Sequence, residues 1–349
     1  MTSEKLIRVL VVDDSAYIRK VMKQMLERSP FIEVVGTAIN GVEALEKVKE
    51  LDPDVITLDL IMPVMNGVEF LKNLMPTNPK PVLIASIASE NGRMTMDAIE
   101  AGALEYIQKP TALATEKIYE ITNELIEKVK ILAQTRIPKP ETAVAEIHNR
   151  RLKSNNRFEI VVIGVSTGGP QALRKIIPLL PTDFPLPICI VQHMPEGYTA
   201  IFSNRLNEQS KVKVVEATEG MTVEPGKVII AKAGKHLAIT PLQNGKKIAK
   251  LMAGNASNLY CPAVDVLFRS AAEVYGEKVL GLVLTGMGND GKEGAAWIKA
   301  KGGIVLTEAE STCVVYGMPR SVDEAMLSDE RIPLEEIAKR IVELTCTVL

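Results

Sequence analysis

The sequence predicts an α/β protein made of two consecutive domains. The first is a five-stranded parallel domain; the second is a doubly wound, mainly parallel domain with a small antiparallel portion. Three observations lead there. The chain has 349 residues, more than one typical domain holds and enough for two cores without staples. Short β-branched runs alternate with amphipathic stretches in both halves, the pattern of a parallel sheet covered on both faces. Between them the alternation dissolves into QTRIPKPETAVAEIHNRRLKSNNR, which is rich in prolines, charges and amides.

The expected division is therefore 1–133 for the first domain, 134–157 for a linker and 158–349 for the second domain. In the first, residues 7–12, 33–36, 55–59, 82–86 and 106–109 are the strand candidates, giving five βα units. Within the linker, 143–147 can form one helical turn. The second domain opens with the strand FEIVVIG at 158–164, a helix from Pro170, the strand PICIVQ at 187–192 and a helix near 199–206. Four short runs between Gly and Pro turn signals then follow, KVKVVEA, KVIIA, HLAIT and KIAKLM, and suggest an antiparallel insertion or edge. Alternation returns with VLGLVLT, a helix over 292–301, the strand GIVLT and a final helix over 333–344.

Composition removes several classes of function. Lys plus Arg number 41 and Asp plus Glu 43, so no positive field is available for nucleic acid or an anionic membrane. The four cysteines, Cys189, Cys261, Cys313 and Cys346, show no C-x-x-C spacing and imply neither a disulfide framework nor a zinc site. No apolar run reaches the roughly 18 residues of a membrane span, and no cleavage signal opens the chain. A soluble, cytoplasmic protein is expected.

In the first domain, Asp13 and Asp14 close the first strand, Asp59 the third, Ser86 the fourth and Lys109 the fifth. All gather at one edge of the sheet, where an open α/β sheet binds its ligands. Converging carboxylates repel unless a hard cation joins them, and a few oxygen donors with open positions suit Mg²⁺. The cation and Lys109 can neutralise a phosphoryl group attacked by Asp59, while Ser86 hydrogen-bonds its oxygens. Singly, each residue also reads as a helix cap or a turn. Together, VVDDS at 11–15, MPVMNG at 62–67, IAS at 84–86 and QKP at 108–110 resemble the receiver domain of two-component response regulators, a flavodoxin-like fold. The resemblance covers roughly 6–130. It implies that Asp59 accepts phosphate from a histidine kinase, that Asp13, Asp14 and Asp59 hold Mg²⁺, that Lys109 contacts the phosphoryl group and that Ser86 is the switch hydroxyl, with Ser89 nearby as another candidate.

In the second domain, Gly164-Val165-Ser166-Thr167-Gly168 fits G-x-S-x-G at a strand-to-helix turn, where a serine nucleophile would face free helix N–H groups. The same pattern fits a tight turn with Ser166 and Thr167 as caps. A serine needs a general base, and the chain has only His148, His193 and His236. His148 lies in the linker and His236 in a turn-like segment. His193 ends the strand expected beside that of Ser166, although it can also cap Met194-Pro195. Asp290 follows VLGLVLT at a third strand end and can accept the other imidazole N–H. The same segment fits G-x-G-x-x-G through Gly286, Gly288 and Gly291, with Glu308 at the spacing of a ribose-binding acid, so an NAD(P)-binding enzyme is the alternative.

From Phe158 to about Val342 the motifs IGVSTGGP, VQHM, PAVDVLF, LTGMGNDG and CVVYGMPR follow in the order of the chemotaxis protein-glutamate methylesterases, the CheB family, which this half resembles. The resemblance assigns Ser166 as nucleophile, His193 as base and Asp290 as orienting acid, with Thr167, Gly168 and Met287 lining the site and its oxyanion position. It implies hydrolysis of glutamate methyl esters on methyl-accepting chemoreceptors, without a cofactor for the ester step, and in some members deamidation of glutamines. A chemotaxis histidine kinase is the implied phosphodonor, the unphosphorylated receiver is the implied gate, and membranes are approached only through receptors. The stretch Asn258-Leu259-Tyr260-Cys261-Pro262 departs from the family by lacking basic residues before the proline.

Overall fold

The central strands of both halves are short, mostly buried apolar runs, as parallel sheets covered on both faces require. The computed structural model describes residues 5–86, 92–109, 115–135, 152–254 and 260–348. Chain contacts divide it into two units, 1–139 and 140–349. Ser89, Pro110, His148, Asn258 and Leu259 fall outside the described residues, as does most of the expected linker.

The first unit runs β1 (Ile7–Val12), α1 (Ala16–Leu26), β2 (Ile32–Ala38), α2 (Gly41–Leu51), β3 (Val55–Leu58), α3 (Gly67–Leu74), β4 (Val82–Ser86), α4 (Gly92–Glu100), β5 (Glu105–Gln108) and α5 (Thr115–Gln134). Its sheet is parallel with order β2-β1-β3-β4-β5, the doubly wound order of flavodoxin-like folds. All five expected strands are present. Local chemistry starts the helices between them: Asn66 and Glu69 form a reciprocal capping box at α3, and the Asn40 side chain accepts the Glu43 N–H at α2. The chain reverses direction across the sheet between β1 and β3, the strands that precede Asp13 and Asp59.

The second unit runs β6 (Leu152–Ser154), β7 (Ile160–Val165), α6 (Gly169–Ile176), β8 (Ile188–Gln192), α7 (Tyr198–Gln209), β9 (Lys213–Glu216), β10 (Lys227–Ile230), β11 (Lys235–Pro241) and β12 (Lys247–Ala253). It continues with α8 (Val264–Tyr275), β13 (Val279–Val283), α9 (Lys292–Ala300), β14 (Ile304–Glu308), α10 (Met318–Glu324), β15 (Glu330–Ile332), α11 (Leu334–Thr345) and β16 (Cys346–Val348). Seven strands form a parallel sheet in the order β15-β14-β13-β7-β8-β10-β9. Every residue of its three central strands, β13, β7 and β8, is buried.

Two sequence expectations are refined. The four short runs between β8 and α8 divide: β9 and β10 extend the parallel sheet at its edge, and only β11 and β12 pair antiparallel. The segment expected as linker up to 157 already belongs to the fold at Leu152–Ser154, which pairs with Cys346–Val348, and Asn155 Nδ2 donates to the Leu344 carbonyl at 2.8 Å. Helix α8, absent from the sequence expectations, buries Val264, Leu267, Phe268, Ala271, Ala272 and Tyr275, one face of a 3.6-residue repeat.

Candidate functional site

In the first unit, residues at the carboxyl ends of β1, β3, β4 and β5 converge. Asp13, Asp59, Ser86 and Lys109 are all buried, and Asp14 is exposed. Lys109 Nζ lies 2.7 Å from Asp13 Oδ2 and 2.7 Å from Asp59 Oδ2. Asp13 is further fixed by the Ser15 N–H at 2.9 Å, and the Lys109 N–H donates to the Ser86 carbonyl at 2.9 Å. Burial pushes the Asp59 carboxyl above its ordinary range despite Lys109, and the neighbouring Asp13 charge adds to the rise.

One oxygen from each of Asp13, Asp14 and Asp59 lies within 4.8 Å of the others, a hard-donor set that fits a divalent cation keeping several waters. The buried Ser86 Oγ has no hydrogen-bond partner among the described residues. A buried hydroxyl left in that condition beside a lysine suits an incoming anionic oxygen.

In the second unit, β7 lies between β8 and β13, so three neighbouring strands end at one place. The register pairs Val165 with Gln192 and Val283 with Gly164, which brings Ser166, His193 and the 284–290 loop to the same carboxyl edge. The Ser166 N–H donates to the Thr285 carbonyl at 3.0 Å, and the His193 N–H to the Val165 carbonyl at 3.1 Å. Gln192 Nε2 donates to the carbonyls of both Ser166 and His193 at 3.0 Å, tying the two turns together. Thr285 Oγ1 donates to the Thr167 carbonyl at 2.9 Å.

Backbone space at the Ser166 turn explains Gly168 and, on the facing loop, Gly286. Gly168 has φ +77°, and a Cβ there would stand 2.6 Å from Val314. Across the turn, a Cβ on Gly286 would stand 2.7 Å from Ser166 Cβ. Met287 follows it, half-buried.

His193 Nε2 is 2.8 Å from Asp290 Oδ2. That carboxylate also accepts the Val264 N–H at 2.7 Å and the Asp265 N–H at 2.9 Å, the first two helical donors of α8. Burial would raise Asp290, but the His193 contact and these N–H groups outweigh it and hold the carboxyl below its ordinary range. Tyr260 stacks on the His193 ring, with centroids 4.4 Å apart and planes 10° from parallel. Sequence reasoning missed Tyr260: nothing in local pattern links a loop tyrosine to a histidine some 67 positions earlier (260 − 193). His236 has the structural role expected of it, its buried Nδ1 accepting the Ala263 N–H at 3.1 Å.

The dinucleotide alternative is corrected by the same geometry. The Gly291 and Gly294 N–H groups, which would have to face a pyrophosphate, both donate to Asp265 Oδ1, at 2.9 and 2.7 Å. Glu308, the would-be ribose ligand, is fully buried and accepts the Thr285 N–H at 2.9 Å and the Thr312 hydroxyl at 3.1 Å.

Fold and acidic cluster together define the first unit as a response regulator receiver domain, and the receiver family model matches residues 9–150. The CheB methylesterase model matches 161–341. A protein-glutamate methylesterase/protein-glutamine glutaminase of Myxococcus xanthus is 46% identical over 344 residues, 96% of this chain and 97% of that protein. One of Thermotoga maritima is 41% identical over 347 residues, 98% of this chain and 99% of that protein. The crystal structure of the Thermotoga maritima CheB methylesterase catalytic domain matches with a TM-score of 0.52 and 46% identity, covering 54% of this chain and 98% of that one. The chain belongs to the CheB methylesterase family, with a receiver domain preceding the catalytic one.

Proposed function

We propose that this protein hydrolyses glutamate methyl esters on bacterial chemoreceptors, under the control of phosphorylation at Asp59, through Ser166, His193 and Asp290. The observation that carries the reading is the 2.8 Å contact between His193 Nε2 and Asp290, placed where the Ser166 strand and its neighbours end. With Nε2–H directed at Asp290, Nδ1 is the basic nitrogen of the neutral ring. His193 takes the Ser166 proton as Oγ attacks the ester carbonyl, and Asp290 stabilises the imidazolium that forms. Backbone N–H groups of the turn after Ser166, at Thr167 and Gly168 with Met287 nearby, receive the oxyanion, since the Gly169 N–H is spent on the Ser166 carbonyl and Pro170 has none. Methanol leaves with the proton from His193. Water, deprotonated by the same ring, then cleaves the glutamyl-serine ester and restores the carboxylate and the hydroxyl. The same acyl chemistry on a glutamine side chain releases ammonia, in keeping with the glutaminase names of the relatives.

In the receiver, Asp59 is the phosphoacceptor and a chemotaxis histidine kinase the donor. Asp13, Asp14 and Asp59 would hold Mg²⁺, which when bound offsets the negative charge of the phosphoryl oxygens. Lys109, now shared between Asp13 and Asp59, turns to a phosphoryl oxygen, and Ser86 donates its hydroxyl to another.

The test is methanol release from methylated chemoreceptor membranes, with and without Mg²⁺ and a small phosphodonor. Release that needs Ser166 and rises with phosphodonor only when Asp59 is present supports both halves. Release from a folded Ser166→Ala protein at the wild-type rate would falsify the hydrolase assignment.

A further inference from the structure

Asp265 has no part in the mechanism above, yet it stands behind Asp290 in an arrangement that serves both. The two carboxylates cap each other's helices. Asp290 accepts the Val264 and Asp265 N–H groups at the start of α8, while Asp265 Oδ1 accepts the Gly291 and Gly294 N–H groups at the start of α9. Gly291 directly follows Asp290, so the bond from Asp265 fixes the peptide on which the orienting acid sits. Its neighbour Gly294 packs against the backbone of α8: a Cβ there would stand 2.5 Å from Phe268 Cβ and 3.1 Å from Asp265 Cα.

Among the described residues, neither carboxylate has a lysine or arginine partner in this clasp; helix N-termini and the imidazole hold them. Burial, opposed by the Gly294 N–H and reinforced by the Asp290 charge, pushes Asp265 up to about 7. The groups facing it are Asp290 and Glu293, with His193 beyond Asp290, and His236 also feels the Asp290 charge.

We propose that Asp265 is a positioning residue for the esterase reaction, holding the Asp290 carboxylate against His193 through this reciprocal cap. The inference rests on the triad reading given above. Because one oxygen, Oδ1, accepts both N–H groups, an asparagine carbonyl can take its place in the cap while removing the charge.

The experiment compares Asp265→Ala, Asp265→Asn and Ser166→Ala in the full chain. It reads kcat and KM for methanol release, the pH profile of kcat/KM, and the downfield proton resonance of the His193–Asp290 bond. Asp265→Ala is expected to lower kcat by about 10–100-fold with KM within about twofold, as loss of an outer-shell partner does, and to broaden the resonance. Asp265→Asn is expected to recover most of kcat and the resonance. Its kcat/KM profile keeps the wild-type shape, because what Asp265 supplies is the cap. A folded Asp265→Ala protein with wild-type kcat, or an asparagine variant no better than alanine, overturns the proposal. Should the alanine variant fail to fold, an Asp265→Asn protein that has lost both kcat and the resonance overturns it equally. An inactive Ser166→Ala beside an unaffected Asp265→Ala sinks only the positioning role, whereas a fully active Ser166→Ala sinks the triad on which it rests.

Discussion

Both units gather aspartates at the carboxyl edge of a parallel sheet, beside the strands where chain direction reverses, but they treat the carboxylates in opposite ways. In the receiver, Asp13 and Asp59 share one lysine, Asp14 faces solvent, and the Ser86 hydroxyl is left unbonded among the described residues. In the hydrolase, Asp290 is saturated by two backbone N–H groups and an imidazole. The difference fits the roles proposed for the two carboxylates. A carboxylate that must attack phosphorus needs an uncommitted oxygen and a movable counter-charge, and here its pKa is raised rather than lowered. One that must orient a histidine gains from immobility, which helix N-termini supply without a mobile cation.

Replacing the nucleophile is the severest way to break that contrast. Ser166→Ala should lower kcat for methanol release by on the order of 10⁴-fold or more, with an unchanged melting transition. On the receiver side, Asp59→Asn should abolish the rise in esterase rate on adding phosphodonor and Mg²⁺, because an amide cannot form the acyl phosphate; an undiminished response would mean that phosphate is accepted elsewhere.

Smaller effects sharpen the picture. Tyr260 lies flat on the His193 ring and contributes on the scale of about 0.5–1.5 kcal/mol typical of aromatic pairs. Tyr260→Leu should therefore reduce kcat/KM by roughly 2–10-fold, while Tyr260→Phe stays near wild type. The faintest effect concerns Glu308, which burial pushes up to about 7. A folded-state pKa above the unfolded one means that the native state keeps its proton longer. Stability from this group is complete below the unfolded value near 4.5 and is lost as pH rises through about 7. Urea unfolding of the wild type between pH 5 and 8 should show that decline, and Glu308→Gln should reduce its slope, leaving the share that Asp265 contributes. A slope unchanged in the glutamine variant assigns the titration to other groups.

The strands were the most legible part of the molecule, because fully buried parallel strands are written as unbroken β-branched runs. Helix α8 was equally legible in principle: its buried positions 264, 267, 268, 271, 272 and 275 keep a helical period, but its cap Ala263 has no side-chain acceptor to mark the start. Runs such as KVKVVEA and KIAKLM carry nearly the same local signal, yet one joins the parallel sheet and the other a hairpin, since partner choice depends on what lies alongside.

By itself the sequence pointed to two α/β domains, to the aspartates and lysine that close the receiver strands, and to Ser166, His193 and Asp290, the set proposed as a triad. Each of these is fixed by residue type at a strand end, and strand ends follow from local hydrophobic pattern. Only the tertiary structure decided what lies behind them: Tyr260 on His193, the reciprocal caps of Asp265 and Asp290, and the conversion of Glu308 from a would-be ribose ligand to a buried anchor for Thr285. These are contacts between segments far apart in the chain, whose partners are chosen by sheet order and helix packing, and no local pattern encodes either.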